Sequence, residues 1–273
     1  MSELGLGCLP GKIDVRDYKI KKKIAMAMQY PETYEAKRGP YLKQQGSVGS
    51  CVAHATSEVL EAHRTDGEKL STNFIYGIHK KLYATLGPGM YLRDACNIAL
   101  NYGDPAYGLC PGNVEVTRVY EIAEEAFANE EVLKDAATNT IDSYSRLKTA
   151  DDIKFAIMNY GPVLAAIEWY SGNKVKEGKL IKSGNKDGGH AIMLYGWTPE
   201  GWLMQNSWGK GWGVNGCCIL PYDYKLSEAY AFVPKKNIPS DIIIPKRNFL
   251  LDLLYDAINA ILNFFLKIKR AFE

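Results

Sequence analysis

The stretch from Gln45 to Ala55, QGSVGSCVAHA, constrains this chain more than any other, because it places a cysteine at the predicted start of a helix. Glycine and serine residues make the approach turn-rich, whereas VAHATSEVLEAHR has the apolar spacing of a helix. Ser50 is the predicted N-cap, which puts Cys51 in the first turn. Unpaired N–H groups and the helix dipole favour negative charge there, so the pattern predicts an ionisable, nucleophilic thiol.

A thiolate nucleophile needs a base, and two downstream segments supply the candidates. His190 lies in KDGGHAIMLYGW, between a glycine pair and a strand-like run, and Asn206 lies in QNSWGKGWGVNG after the short predicted strand WLMQ. His190 follows Cys51 by 139 residues, and Asn206 follows His190 by 16. A cysteine with a histidine and an asparagine at this distance downstream indicates Cys–His–Asn nucleophilic catalysis.

Four segments in a fixed order resemble the papain-like cysteine peptidases and together cover residues 40 to 233. Gln45 lies six residues before Cys51, as the oxyanion-hole glutamine of that family does before its nucleophile. GGHA and NSWGKGWGVNG resemble the motifs of the catalytic histidine and asparagine, and SYSRLKTADDIKFAIMNYGPVLAAI resembles the segment that precedes the histidine. The GGHA form, the ending ILPYDY and the opening LPGKIDVRDY resemble bacterial and viral members more than lysosomal cathepsins.

The resemblance implies an α+β fold in which a helical lobe packs on a small antiparallel β-barrel lobe, with the catalytic cleft between them. It also implies the roles of the site residues. Cys51 would attack a peptide carbonyl as a thiolate paired with protonated His190, and Asn206 would orient the imidazole. Gln45 would hold the oxyanion together with the N–H of Cys51, and Trp208 would cover the histidine–asparagine bond.

Substrate contacts are implied at two further places. Ala166 and Ala191 resemble residues that flank the main side-chain pocket, and their small size would leave room for a bulky apolar side chain. The loop GPGM, residues 87–90, resembles a cleft-lining loop that pairs with substrate backbone; a plain turn between two helices remains the other interpretation.

The function expected from these residues is that of a cysteine endopeptidase acting on a peptide or protein, with no metal and no cofactor. Two alternatives stay open. A Cys–His acyltransferase or deconjugase would pass the same acyl group from Cys51 to an amine. A non-catalytic binding module would keep the fold and dock through a C-terminal helix.

The change of pattern along the chain predicts five segments. The early residues are polar, a helix-rich part and a strand-rich part follow, and a Pro-bearing stretch separates these from the end. The predicted segments are an N-terminal arm (1–40), a catalytic domain (41–233, with a helical lobe at about 41–135 and a β lobe at about 139–233), a linker (234–247) and an amphipathic C-terminal helix (248–273).

The predicted C-terminal helix carries a narrow polar stripe on an otherwise apolar surface. Its aspartates and asparagines argue against a membrane span. Three interpretations remain: the helix lies in a groove of its own chain or a sister subunit, it lies on a membrane surface, or it inserts into a different partner.

Composition limits the compartment and the partners. A net charge of +2 gives no case for nucleic-acid binding. The opening residues lack a signal-peptide pattern, and Val48 stands where secreted relatives carry a disulfide cysteine, so we expect a reduced, intracellular, cytoplasmic protein, with peripheral membrane or assembly association if the helix anchors it. The opening is also too short for the long inhibitory prosegment of cathepsin-like zymogens, so we expect another restraint on activity.

Overall fold

Helices dominate the first half of the described chain, as the spacing of its apolar residues predicts. The protein is represented by a computed structural model that describes residues 5–11, 29–83, 87–112, 125–126 and 129–235. The helices are α1 (Cys51–His63), α2 (Thr72–Tyr83), α3 (Leu92–Asn101), α4 (Glu130–Thr138) and α5 (Ala150–Tyr160).

Local sequence explains where these helices begin and end. Ser50 is the N-cap residue of α1, as predicted, but its hydroxyl makes no capping bond and instead contacts Nδ1 of His54 at 3.2 Å. Thr149 and Asp152 form a full capping box at the start of α5. That helix stops at Gly161, whose φ of 102° suits glycine alone.

Short strands make up the second half. They are β1 (Cys8–Leu9), β2 (Tyr34–Glu35), β3 (Met90–Tyr91), β4 (Ile141–Arg146), β5 (Val163–Tyr170), β6 (Lys174–Lys176), β7 (Lys179–Ile181), β8 (Lys186–Thr198), β9 (Gly201–Gln205), β10 (Cys217–Pro221) and β11 (Leu226–Pro234). Nine of them form one sheet in the order β4-β11-β5-β8-β9-β10-β7-β6, with β2 also paired to β8. The other two, β1 and β3, form a small parallel pair.

The α+β class is confirmed, whereas the predicted closed antiparallel barrel is wrong for the described residues. The sheet has β4 at one end and β6 at the other, and β10 pairs with β7 in parallel. Because β6 and β7 contain three residues each, they offer few ladder hydrogen bonds with which to close a barrel.

The packing of α1 on the sheet positions the site. This helix is buried along almost its whole length and packs on β8, while α2 and α3 pack on α1. Its N-terminal end therefore meets the middle of β8. Most of the predicted N-terminal arm, the linker from residue 236 and the predicted C-terminal helix lie outside the described residues. No described helix combines the length and the apolar character that a membrane crossing requires.

Glu58, in the middle of α1, gives a pH-dependent test of this packing. Its side chain is buried, and neither carboxylate oxygen accepts a hydrogen bond of good geometry from a described residue, although the nearby Gln205 side chain still favours the charged form. Burial raises the pKa of this carboxyl from 4.5 to about 7, against smaller opposing effects of Gln205 and Lys43. The folded protein therefore keeps a proton that the unfolded chain releases, and stability falls as the pH rises from 4.5 to about 7.

We predict that Glu58→Gln stabilises the protein above pH 7 by about 3 kcal/mol, and that the gain disappears near pH 4.5. Urea unfolding at several pH values measures this difference. Glu68→Gln, at an exposed position, is the matched control and should show no such pH dependence. A stability difference between wild type and Glu58→Gln that is constant with pH would contradict the burial of an uncompensated carboxyl.

Candidate active site

Cys51 is the first residue of α1 and is completely buried. Backbone groups of Ala191, on β8, and of Gly7, near the N-terminus, lie close enough to its sulfur to favour the thiolate. Ala191 directly follows His190, so the packing of α1 on β8 sets the thiol beside the predicted base. The sequence separates these two residues widely, and the fold brings them together.

His190 and Asn206 are joined by a hydrogen bond of 2.8 Å between Nε2 and Oδ1. The N–H of Ser207 also donates to Asn206 Oδ1, at 2.8 Å. An atom that accepts from a backbone N–H is the amide oxygen, so Nε2 of His190 must be the donor. The neutral imidazole therefore has its proton on Nε2 and its lone pair on Nδ1. Nδ1 is buried without a hydrogen-bond partner among the described residues, which leaves it able to take a proton.

Aromatic rings exclude water from this bond. Trp208 stacks on the His190 ring with centroids 4.4 Å apart and an interplanar angle of 25°. Trp169, which the sequence analysis did not single out, packs edge-on against both rings, at 5.3 Å from His190 and 4.7 Å from Trp208. Both His190 and Asn206 are fully buried beneath this cover. A low local dielectric strengthens the hydrogen bond that orients the imidazole.

Gln45 is held by three hydrogen bonds of its side-chain amide. Its Nε2 donates to the carbonyls of Gly5 and Val48, both at 2.8 Å, and its Oε1 accepts from the Ser207 hydroxyl at 2.5 Å. Ser207 therefore orients both Gln45 and Asn206, a role that the sequence analysis missed although this residue directly follows Asn206. The Gly5 carbonyl oxygen binds where the Gln45 amide could donate a hydrogen bond to the oxyanion of a reacting substrate.

His54 is the nearest rival base in sequence, and its environment excludes it. Its Nδ1 faces the Ser50 carbonyl at 3.0 Å, and burial lowers its pKa to about 3. This histidine belongs to the packing of α1.

Cys51 and His190 do not form the predicted thiolate–imidazolium ion pair while the cleft is closed. Burial raises the pKa of the Cys51 thiol to about 11, although the backbone groups of Ala191 and Gly7 oppose the shift. Burial likewise lowers the pKa of His190 to about 4, against the bond to Asn206. Thiol and imidazole are therefore both neutral at pH 7. Charge separation requires water or a polar substrate to reach them.

The cause of this burial is the chain's own N-terminal segment, residues 5–11, which lies across the site. The Gly5 carbonyl occupies the Gln45 amide, and the Gly7 carbonyl accepts from the N–H of Met90 at 2.8 Å. The backbone of Gly7 also lies near the sulfur and opposes the rise in the pKa of Cys51. Cys8 is buried in the same cluster as Cys51, and burial raises the pKa of its thiol, with Cys51 adding to the shift.

Close backbone contacts fix this segment on both walls of the cleft. A Cβ on Gly7 would lie 2.0 Å from the carbonyl oxygen of Gly49, and a Cβ on Gly189 would lie 2.2 Å from that of Cys8. The end of the segment is held by the N–H of Gly11, which donates to Glu228 Oε1 at 2.7 Å. Only glycine allows backbone to approach backbone this closely, at Gly7 in the segment and at Gly189 in the cleft wall. The segment is therefore closely packed in the cleft.

Ala166 and Ala191 are cross-strand partners on β5 and β8, and both are buried. Glu228 on β11 is the next partner of Ala166, so the three side chains form one row across the sheet. Glu228 is only 6% exposed, and Tyr230 donates to its Oε2 at 3.1 Å. The alanines therefore stand beside a buried carboxylate, which sequence reasoning did not associate with them because it lies 37 residues further along the chain than Ala191.

We find no cluster of metal-ligating side chains in the part of the chain that the structure describes. No group of three or more His, Cys, Asp or Glu side chains lies close enough together there to hold an ion.

A family model described as papain family cysteine protease matches residues 93–228. The matched region contains His190 and Asn206 but not Cys51. Among curated relatives, a cysteine protease of Blomia tropicalis is 26% identical over 192 residues, which cover 64% of this chain and 55% of that protein. An uncharacterized peptidase C1-like protein of Acanthamoeba polyphaga mimivirus is 27% identical over 210 residues, covering 68% of this chain and 66% of the relative. The chain thus spans little more than half the length of the Blomia relative.

Solved structures show the same fold. Xylellain, a cysteine protease from Xylella fastidiosa, has a TM-score of 0.72 at 22% identity and covers 86% of this chain and 98% of its own. Procathepsin B S9 from Trypanosoma congolense has a TM-score of 0.62 at 15% identity and covers 85% of this chain and 87% of its own. At these identities the likeness concerns architecture.

We predict that Gly7→Glu opens the cleft. The new side chain has no room against Gly49, so the segment must leave and the thiol becomes hydrated. Alkylation of Cys51 by iodoacetamide at pH 7, mapped by peptide mass spectrometry, should accelerate by at least about tenfold. Gly108→Glu is the matched control, because a Cβ on Gly108 would meet no neighbouring atom within 4 Å. An unchanged rate in Gly7→Glu would show that residues 5–11 do not limit access.

Proposed function

This chain belongs to the papain family of cysteine proteases, and from that premise we propose that it is a cysteine peptidase that hydrolyses peptide bonds through a thioacyl-enzyme on Cys51. The observation that carries the proposal is the dry 2.8 Å bond from His190 Nε2 to Asn206 Oδ1, beside a thiol at the start of a helix. That bond fixes the tautomer in which Nδ1 accepts a proton.

Acylation begins when a substrate displaces the N-terminal segment and brings polar groups to the thiol. The Cys51 proton passes to His190 Nδ1, the sulfur attacks the peptide carbonyl, and a C–S bond forms as the C=O bond becomes C–O⁻. Gln45 and the first N–H groups of α1 hold that oxyanion. His190 then gives its proton to the departing amine, and the C–N bond breaks.

Deacylation uses the same groups in reverse. His190 takes a proton from water, the water oxygen attacks the thioester carbonyl, and the C–S bond breaks as the carboxylic acid forms. The proton on His190 then returns to the Cys51 thiolate, which restores the neutral thiol and imidazole. Asn206 stabilises the imidazolium in both steps by accepting from Nε2. The rings of Trp208 and Trp169 keep bulk water away from that bond throughout.

The row of Ala166, Ala191 and Glu228 supports a preference for a basic substrate side chain. The alanines leave space, and the carboxylate supplies a buried charge that a Lys or Arg side chain can pair with. This proposal replaces the bulky apolar side chain expected from the two alanines alone. In the closed cleft the N–H of Gly11 donates to one oxygen of that carboxylate, and the Arg146 guanidinium lies 4.0 Å from the other.

Removal of catalytic groups tests the peptidase proposal. In protein opened by Gly7→Glu, Cys51→Ala and His190→Ala should each abolish measurable hydrolysis of a fluorogenic peptide library. Gln45→Ala should lower kcat by about 10²–10³, the usual effect of losing one oxyanion donor. His54→Ala tests a nearby buried histidine and should change kcat far less than His190→Ala does. Full hydrolysis by Cys51→Ala would refute the thioacyl mechanism.

The fate of the acyl group distinguishes hydrolysis from transfer. Product analysis in the presence of an added amine should show mainly the carboxylic acid if water resolves the thioester. Dominant amide product would identify an acyltransferase, and peptide binding without turnover would identify a binding module.

Glu228 provides the specificity prediction. Protein opened by Gly7→Glu, with Glu228 intact, should select Lys or Arg at one position of a positional-scanning peptide library. Glu228→Gln should lower kcat/KM for the basic peptides by about tenfold or more, because a charge-assisted hydrogen bond is lost. Glu131→Gln, at an exposed site on α4, is the matched control. Selection of Leu or Phe by the opened protein that keeps Glu228 would contradict the proposed role of the carboxylate.

A further inference from the structure

The wall of the cleft that faces residues 5–11 contributes one backbone donor, the N–H of Met90. This group binds the Gly7 carbonyl at 2.8 Å, and β1 and β3 continue the pairing with Cys8 opposite Met90. An extended chain in the cleft is thus held at this wall by its own backbone. A substrate that displaces β1 would meet the same donor.

Lys80, on α2, lies directly behind this wall and is buried. Its Nζ donates to the carbonyl of Gly89 at 2.6 Å and to that of Gly87 at 2.9 Å. Tyr76, one turn earlier on α2, accepts from the N–H of Gly89 at 3.4 Å. The glycine loop is therefore held from the protein side by one helix.

The bond from Lys80 to Gly89 sets the direction of the Met90 N–H. Gly89 C=O and Met90 N–H belong to the same peptide unit, and no described peptide bond is cis. In a planar trans unit these two groups point in opposite directions. An ammonium that holds the carbonyl towards α2 therefore turns the N–H into the cleft.

The loop's own backbone does little to fix this orientation. Gly87 and Gly89 have φ values of 82° and 100°, which glycine adopts freely and reverses freely. A side chain cannot stiffen Gly89, because a Cβ there would lie 2.8 Å from the Gly7 carbonyl oxygen. The close approach that lets an extended chain bind thus leaves the loop dependent on contacts from behind.

We propose that Lys80 is a positioning residue that holds the Gly89–Met90 peptide so that its N–H binds a backbone carbonyl of an extended peptide substrate. The inference rests on the proposed peptidase function and extends it to a residue that touches neither the thiol nor the imidazole. It assigns to Lys80 a role in peptide binding and none in the chemistry at Cys51.

The experiment uses full-length protein with the cleft opened by Gly7→Glu, and compares it with and without Lys80→Met. We expect KM for a peptide substrate to rise by about tenfold while kcat changes by less than about twofold. Hydrolysis of p-nitrophenyl acetate, which is too small to reach Met90, should be unchanged. Lys80→Arg should restore much of the peptide affinity, and the exposed neighbour variant Lys81→Met should have no effect.

The otherwise wild-type chain gives a second readout. Lys80→Met should weaken the hold on residues 5–11 and so speed alkylation of Cys51 by iodoacetamide several-fold. An unchanged peptide KM would overturn the proposal. Equal losses with the peptide and with p-nitrophenyl acetate would also overturn it, because they would show that Lys80 supports the fold of the site as a whole.

Failure of the peptidase function can be distinguished from failure of this inference. If opened protein cleaves no peptide, the dissociation constant of the same peptide is measured by tryptophan fluorescence on the Cys51→Ala protein. A value raised about tenfold by Lys80→Met would support the positioning role without turnover, and an unchanged value would refute it.

Discussion

The hydrogen bond between His190 and Asn206 is the interaction on which the site depends. It fixes the imidazole tautomer, and its burial beneath Trp208 and Trp169 protects it from competition by water. The bond is possible only because β8 and β9 are neighbouring antiparallel strands, which carry His190 and lead into Asn206. Packing of α1 on β8 then adds the thiol.

The same burial that orients Cys51 and His190 also keeps both groups uncharged. With residues 5–11 in place, the pKa of the thiol is raised and that of the imidazole is lowered, so both groups are neutral. Opening the cleft would hydrate the sulfur while the N–H groups at the start of α1 continue to favour its charge. Access and ionisation are thus coupled, because residues 5–11 cover both groups.

Much of the site was predictable because its residues lie in motifs with local signals. A turn-rich loop before a helix located Cys51, and strands beside glycines located His190 and Asn206. Ser207, Glu228 and the contacts of residues 5–11 were not predictable, since they depend on which strands become neighbours. The closed barrel was wrong for a related reason: strand count and spacing give no information on which edges pair, and here two three-residue strands leave the sheet open.

The most direct test of the central claim is acid-quench mass spectrometry during turnover of an activated peptide ester by full-length Gly7→Glu protein. The account predicts a transient acyl adduct on Cys51 alone among the six cysteines, absent from the His190→Ala variant. An adduct on another cysteine, or turnover without any adduct on Cys51, would contradict the thioacyl mechanism and the site that supports it.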